Sequence, residues 1–135
     1  MIVLDTSVLS LAYRRRRRGS EEPRQVEVLR ELILEDVPLS VPGIVLQELL
    51  SGVRSETQFR DLFDVMQGFP VLLAEREDHV IAARIANACR RQGVTTAAVD
   101  CLIAAMAVAR EAHLFTLDVD FEAMAPHCSL HLFKK

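Results

Sequence analysis

Four carboxylates in this chain stand where a carboxylate is costly or conspicuous. Asp5 follows the apolar run Ile2-Val3-Leu4 directly, and Asp118 follows Leu114-Phe115-Thr116-Leu117. Glu48 sits among Val45, Leu46, Leu49 and Leu50, and Asp100 among the residues of Ala97–Ala109, sequence AAVDCLIAAMAVA. An acid in such surroundings needs a partner or a cation. If the four converge, they cannot all stay ionised in a confined site without a positive ion between them. Ligation by oxygen alone suits Mg²⁺ or Mn²⁺. A divalent ion held this way lowers the pKa of a water and steadies charge on a transferring phosphodiester, so the chemistry implied is metal-assisted phosphodiester hydrolysis. Three of the acids also have a structural reading. Asp5 can cap a helix, Asp100 can favour a helix dipole from the first turn, and Glu48 can lie on an exposed polar face beside Gln47.

Convergence depends on the elements that carry the acids. Short apolar runs bounded by polar residues read as buried strands: Ile2–Leu4, Leu39–Val41, Phe69–Leu73, Leu114–Leu117 and Ser129–Phe133. The proline in the third run places it near an edge. Helical spacing predicts helices from Val8 through the arginines to Gly19-Ser20, from Glu21 to about Asp36, and from Ile44 to Leu50. Others are predicted over Glu56–Gln67, Glu77–Gln92 and Ala97–Ala109, with a short turn or helix through Phe121–Met124. Thr6 or Ser7 can cap the first helix, and Thr95-Thr96 the apolar one. Strands alternating with helices give an α/β fold, with a central parallel sheet covered by helices on both faces. Right-handed crossovers bring all carboxyl ends to one edge, where open α/β sheets bind ligands. Asp5 and Asp118 then meet if their strands are neighbours, and the starts of the Glu48 and Asp100 helices face the same edge.

The chain has 135 residues, half of them hydrophobic and 26% charged, which suits one domain over 1–135 with a real core. Net charge is −3, too small to mark a polyanion-binding protein by itself. Five consecutive arginines, Arg14, Arg15, Arg16, Arg17 and Arg18, stand apart from that balance. They read either as cations suited to a helix end and solvent, or as contacts to a nucleic-acid backbone. Asp5 interrupts the N-terminus before a signal-peptide core could form, and no apolar run approaches the roughly 20 residues that span a bilayer. A cytoplasmic protein without a membrane partner is expected. Cys89, Cys101 and Cys128 are odd in number and unpaired in spacing, so free thiols are expected, with Cys101 and Cys128 buried.

The segments IVLDTSVL, VPGIVLQELLSG, VDCLIAAMAVA and LFTLDVDFEAM resemble the ordered acidic motifs of PIN-domain ribonucleases, and more narrowly the VapC-type toxins of toxin–antitoxin pairs. The resemblance runs from the first residue to about Phe133. It implies a three-layer PIN-like domain with a central parallel sheet of four to five short strands. Under it Asp5, Glu48, Asp100 and Asp118 are the metal-binding acids, with Asp120 as an addition. Asp5, Asp100 and Asp118 would hold the principal ion, and Glu48 would act through water or on a second ion. Thr6 or Ser7, and Thr116, match hydroxyl positions that support the site. The resemblance further implies an endoribonuclease using Mg²⁺ or Mn²⁺, cleavage of single-stranded or loop RNA, a homodimer, and silencing by a small VapB-type antitoxin. An unbroken arginine run is not part of the family motif.

Other readings compete. A PIN-like binding module without catalysis would use the acids as caps and the arginines to hold RNA or a protein. Leu117-Asp118-Val119-Asp120 resembles the nucleophile motif of haloacid-dehalogenase-type phosphatases, but that motif belongs near an N-terminus with a lysine downstream. Here the only lysines are Lys134 and Lys135. His127, Cys128 and His131 lack a fourth zinc ligand nearby. Ser7 has no histidine placed to activate it, and no phosphate loop of the P-loop kind is present.

Overall fold

The computed structural model describes residues 1–14 and 22–135. Its centre is a five-stranded sheet, β1 (Ile2–Leu4), β2 (Leu39–Pro42), β3 (Val71–Leu72), β4 (His113–Phe115) and β5 (His131–Leu132). All pairings are parallel and the spatial order is β3-β2-β1-β4-β5. β1 is therefore central, with its apolar residues buried. The strand order reverses between β1 and β4, which makes their carboxyl ends the switch point of the sheet. As its proline suggests, β3 lies at an edge.

The helices are α1 (Thr6–Leu9), α2 (Arg24–Leu34), α3 (Gly43–Leu50), α4 (Glu56–Met66), α5 (Arg76–Arg91), α6 (Ala98–Ala109) and α7 (Val119–Met124). α1 continues as a π-helical turn over Ser10–Arg14. Its predicted extension through Arg15–Arg18 to Gly19-Ser20 lies outside the described residues. Among the described residues no helix is long and apolar enough to cross a membrane. α6 is buried nearly all round, through Cys101 and Ile103–Ala107. Gly93, at φ 75°, ends α5 in the left-handed region, and the Val94 N–H donates to the Cys89 carbonyl at 2.9 Å.

Several boundaries and faces differ from the sequence reading. β4 stops at Phe115, so Thr116 and Leu117 belong to the connection after it. β3 and β5 are shorter than their apolar runs. The buried stripe of α5 is Asp78, Ala82, Ile85 and Cys89, and Val80 is exposed. Ile33 of α2 and Phe63 of α4, which helical spacing places on the inward faces of their helices together with Val80 of α5, are also exposed. Short amphipathic helices leave the angular width of the apolar stripe loosely fixed by sequence, and packing chooses its centre. α6 is capped by Ala97 without a side-chain bond, and Thr96 Oγ1 instead accepts from the Cys101 thiol at 3.2 Å. The three thiols are free; Cys89 and Cys101 are buried and Cys128 only partly so.

Candidate metal centre

The site grows from the end of β1. The Asp5 N–H donates to the Phe115 carbonyl of β4 at 3.0 Å, which extends the sheet ladder to the first acid. Asp5 is 5% exposed, and α1 begins directly after it. Asp5 itself caps that helix, with the Ser7 N–H 3.5 Å from Oδ2. Ser7 Oγ and Thr116 Oγ1 each donate to the same Oδ2 at 2.8 Å. Each hydroxyl then accepts a backbone N–H, Ser7 from Leu117 at 2.9 Å and Thr116 from Asp118 at 3.0 Å. Both hydroxyl protons are thereby spent on Asp5, and the β1 and β4 connections are tied together through its carboxylate. Among the described residues, every hydrogen bond to the Asp5 carboxylate goes to Oδ2, so Oδ1 has no protein partner.

Asp118 caps α7 by accepting the Asp120 N–H on Oδ1 at 2.9 Å. This Asx-type cap brings Asp120 beside Asp118. Asp100 reaches the same place from the first turn of α6. Carboxylate oxygens of Asp100, Asp118 and Asp120 all lie within 4.8 Å of one another. Glu48 of α3 is exposed, so the burial cost expected from its apolar neighbours does not arise. Its Oε1 accepts from Thr6 Oγ1 at 3.0 Å.

Electrostatics separates Asp100 from the rest. Its pKa is pushed up to about 6, first by burial and then by Asp118, Asp5, Asp120 and Glu48. The N-terminal dipole of α6 favours the anion by roughly 0.3–1 kcal/mol, and desolvation with like charge outweighs it. A carboxyl raised this way, in an all-oxygen donor set, has the chemistry of a divalent-cation ligand. The residues therefore fit Mg²⁺ or Mn²⁺.

The sequence-predicted acids Asp5, Glu48, Asp100 and Asp118 all act on one electrostatic centre. Oxygen geometry nonetheless groups Asp120, rather than Asp5 or Glu48, with Asp100 and Asp118. The signal for this was the D-x-D spacing at a helix cap. His127, Cys128 and His131 do not gather: His131 lies beside His113, with ring centroids 6.0 Å apart, and the Cys128 thiol donates to the Met124 carbonyl. Arg14 faces a different cavity, of about 390 Å³, together with Gly52, Arg54, Gln58 and Asp61. Asp5, Glu48, Asp100, Asp118 and Asp120 do not line that cavity. Arg15–Arg18 lie outside the described residues. Unforeseen from sequence is a buried ion pair at the far end of α6, where Arg110 donates to Asp78 in a bidentate pair at 2.9 and 3.0 Å.

A parallel α/β sheet with clustered carboxylates at its switch point defines the class of protein: an α/β domain with an acidic, cation-fitting edge. Residues 2–126 match the PIN domain family. The chain is 33% identical over 127 residues to the VapC ribonuclease Mb1587 of Mycobacterium bovis, covering 93% of this chain and 92% of that protein. It matches the ribonuclease VapC11 of Mycobacterium tuberculosis to the same extent. Among solved structures it is similar to FitAcB from Neisseria gonorrhoeae (TM-score 0.77, 26% identity, 99% and 97% of the two chains). VapBC2 from Rickettsia felis, bound to a DNA fragment from its promoter, shares the fold (TM-score 0.78, 21% identity, 98% of each chain). The chain belongs to the PIN-domain family and, within it, stands with the VapC ribonucleases.

Proposed function

We propose that this protein is a metal-dependent endoribonuclease, the toxin of a toxin–antitoxin pair. The observation that carries the reading is the convergence of Asp100, Asp118 and Asp120, with Asp100 held at a pKa of about 6 by burial and neighbouring acids. Mg²⁺ or Mn²⁺ supplies Lewis-acid activation of a water and relief of charge on the phosphodiester. Asp100, Asp118 and Asp120 would hold the ion through their clustered oxygens, and Asp5 Oδ1 would be a further ligand. Ser7 and Thr116 fix the Asp5 carboxylate, and Thr6 fixes Glu48, so these acids keep their places before substrate arrives.

Named relatives support the substrate class: two are ribonucleases that match nearly the full chain. Similarity to the FitAcB and VapBC2 structures supports the pairing with a VapB-type antitoxin. Homodimerisation and a cytoplasmic setting belong to the same reading. The test is cleavage of total cellular RNA by purified, antitoxin-free protein with Mg²⁺ or Mn²⁺, repeated with a chelator. Cleavage that needs the ion is the expected result. Folded protein that cuts no RNA with metal supplied overturns the reading.

A further inference from the structure

A second cavity adjoins the acids. It encloses about 240 Å³ and shares Thr116 and Asp118 with the metal centre. Its remaining walls come from Leu117, the first turn of α2, the end of β5 with the chain after it, and α7. Gln25 lies on one side, and Leu132 and Phe133 form an apolar side. Phe133 is held in place twice: its N–H donates to the Leu114 carbonyl at 2.8 Å, and its ring packs on Phe115 with centroids 5.1 Å apart. Lys134 also borders the cavity, and its Nζ donates to Glu122 Oε1 at 3.3 Å.

We propose that this cavity is a nucleobase subsite, which holds the base of the nucleotide next to the scissile phosphate and so sets cleavage preference. The inference rests on the nuclease reading and adds a specificity determinant to it. Three features favour a base. The volume is below the roughly 300–1,000 Å³ of sites for drug-sized ligands, so it suits one nucleoside rather than a length of strand. The wall chemistry pairs an apolar, aromatic side with one side-chain amide. An unstacked RNA base asks for that combination, a surface for its face and a donor–acceptor pair for its edge. Charge disfavours the alternative of a second phosphate: among the described residues that line the cavity the one cation, Lys134, is paired with Glu122, and Asp118 stands beside the pair. A nucleotide whose phosphate meets the acids has its neighbouring base within reach of this pocket, since Asp118 borders both.

The test uses a randomised short-RNA pool, cut by the full-length protein and sequenced at the new ends. Wild type should enrich one or two bases at a position flanking the cut. Gln25→Ala, at an exposed position, should narrow the spread of kcat/KM among the four bases by roughly tenfold. Phe133→Leu should lower kcat/KM for the preferred base and spare the others. Identical base preference in wild type and both variants would overturn the subsite while leaving the nuclease standing. If the wild type cuts nothing, the nuclease reading fails by itself, and titration with the four nucleoside 5′-monophosphates decides the pocket. Shifts of the Gln25 side-chain amide and Phe133 ring resonances with one base over the others would sustain it. No shift with any of them would overturn it.

Discussion

The two ends of α6 hold the same kind of side chain in opposite electrostatic states. At the N-terminal end Asp100 faces Asp118 and Asp120, and its pKa is pushed up to about 6 by burial and like charge. Just past the C-terminal end, Arg110 meets Asp78 in a bidentate pair, and that hydrogen bond holds the Asp78 carboxyl below its ordinary value. Asp78 also accepts the Glu75 N–H at 2.8 Å as half of a capping box, and Arg110 donates to the Met106 carbonyl. Both carboxylate oxygens of Asp78 and both terminal guanidinium nitrogens of Arg110 have partners inside the protein. The acids at the other end are left with surplus negative charge. One end of the helix is built for stability, and the other carries surplus negative charge that, on the proposed reading, a cation would balance.

The largest expected contrast comes from neutralising each end in turn. Asp100→Asn should lower RNA cleavage by about 10³-fold, the scale of losing several kcal/mol of metal-centred stabilisation. Its circular dichroism should match wild type. Arg110→Ala should do the reverse. It strands a buried carboxylate and should cost about 3 kcal/mol in chemical denaturation, with the cleavage rate of the folded fraction kept. A stable, fully active Arg110→Ala protein would break the comparison at that end.

Metal sharpens it further. At 100 times its Kd, Mn²⁺ should stabilise wild type by about 2.7 kcal/mol in thermal melts. The gain should be larger at pH 7.5 than at pH 5.5, because the ion competes with protons for Asp100. Asp100→Asn should lose most of it. The opposite outcome, equal stabilisation of both proteins, would move the ion elsewhere.

A smaller effect concerns pH without metal. The folded pKa of Asp100 lies above its unfolded value, so the folded state binds the proton more tightly. Stability from this group is greatest below pH 3.8 and declines as pH rises toward about 6. That rise corresponds to about 3 kcal/mol in a dry site, and solvent at this part-exposed carboxyl reduces it to about 1 kcal/mol. Asp78 has the opposite sign: its depressed pKa gives stability that is present above the unfolded value and lost as pH falls. Metal-free Asp100→Asn should therefore be slightly more stable than wild type at pH 7.5, by about 1 kcal/mol in urea unfolding. Equal or lower stability would contradict the raised pKa.

The alternation of apolar runs and amphipathic helices was enough to specify a parallel α/β sheet, because buried strands and helix faces leave different periodicities. It also placed Asp5 directly after a strand; Asp118 instead follows β4 by the two connecting residues Thr116 and Leu117. What remained hidden was set by packing. Asp78 and Arg110 are 32 positions apart, and only the α5–α6 contact reveals that they meet. The sequence reading starts α5 at Glu77 and does not include the capping box of Glu75 and Asp78 either. Thr116 read as a strand residue. Its place just beyond β4 is what frees its hydroxyl for Asp5, and strand ends are poorly marked where apolar residues continue into the connection. Asp120 entered the sequence reading only as an addition implied by the resemblance, yet the Asp118 cap turns it toward Asp100.

The most direct test of the central claim is Mn²⁺ binding to purified protein, followed by electron paramagnetic resonance at pH 7.5, with Asp100→Asn alongside. The predicted result is saturable binding to wild type, displaced by Mg²⁺ and weakened at least about tenfold in the variant. Mn²⁺ binding of unchanged strength in Asp100→Asn, or no saturable binding to wild type, would contradict a cation site at this end of α6.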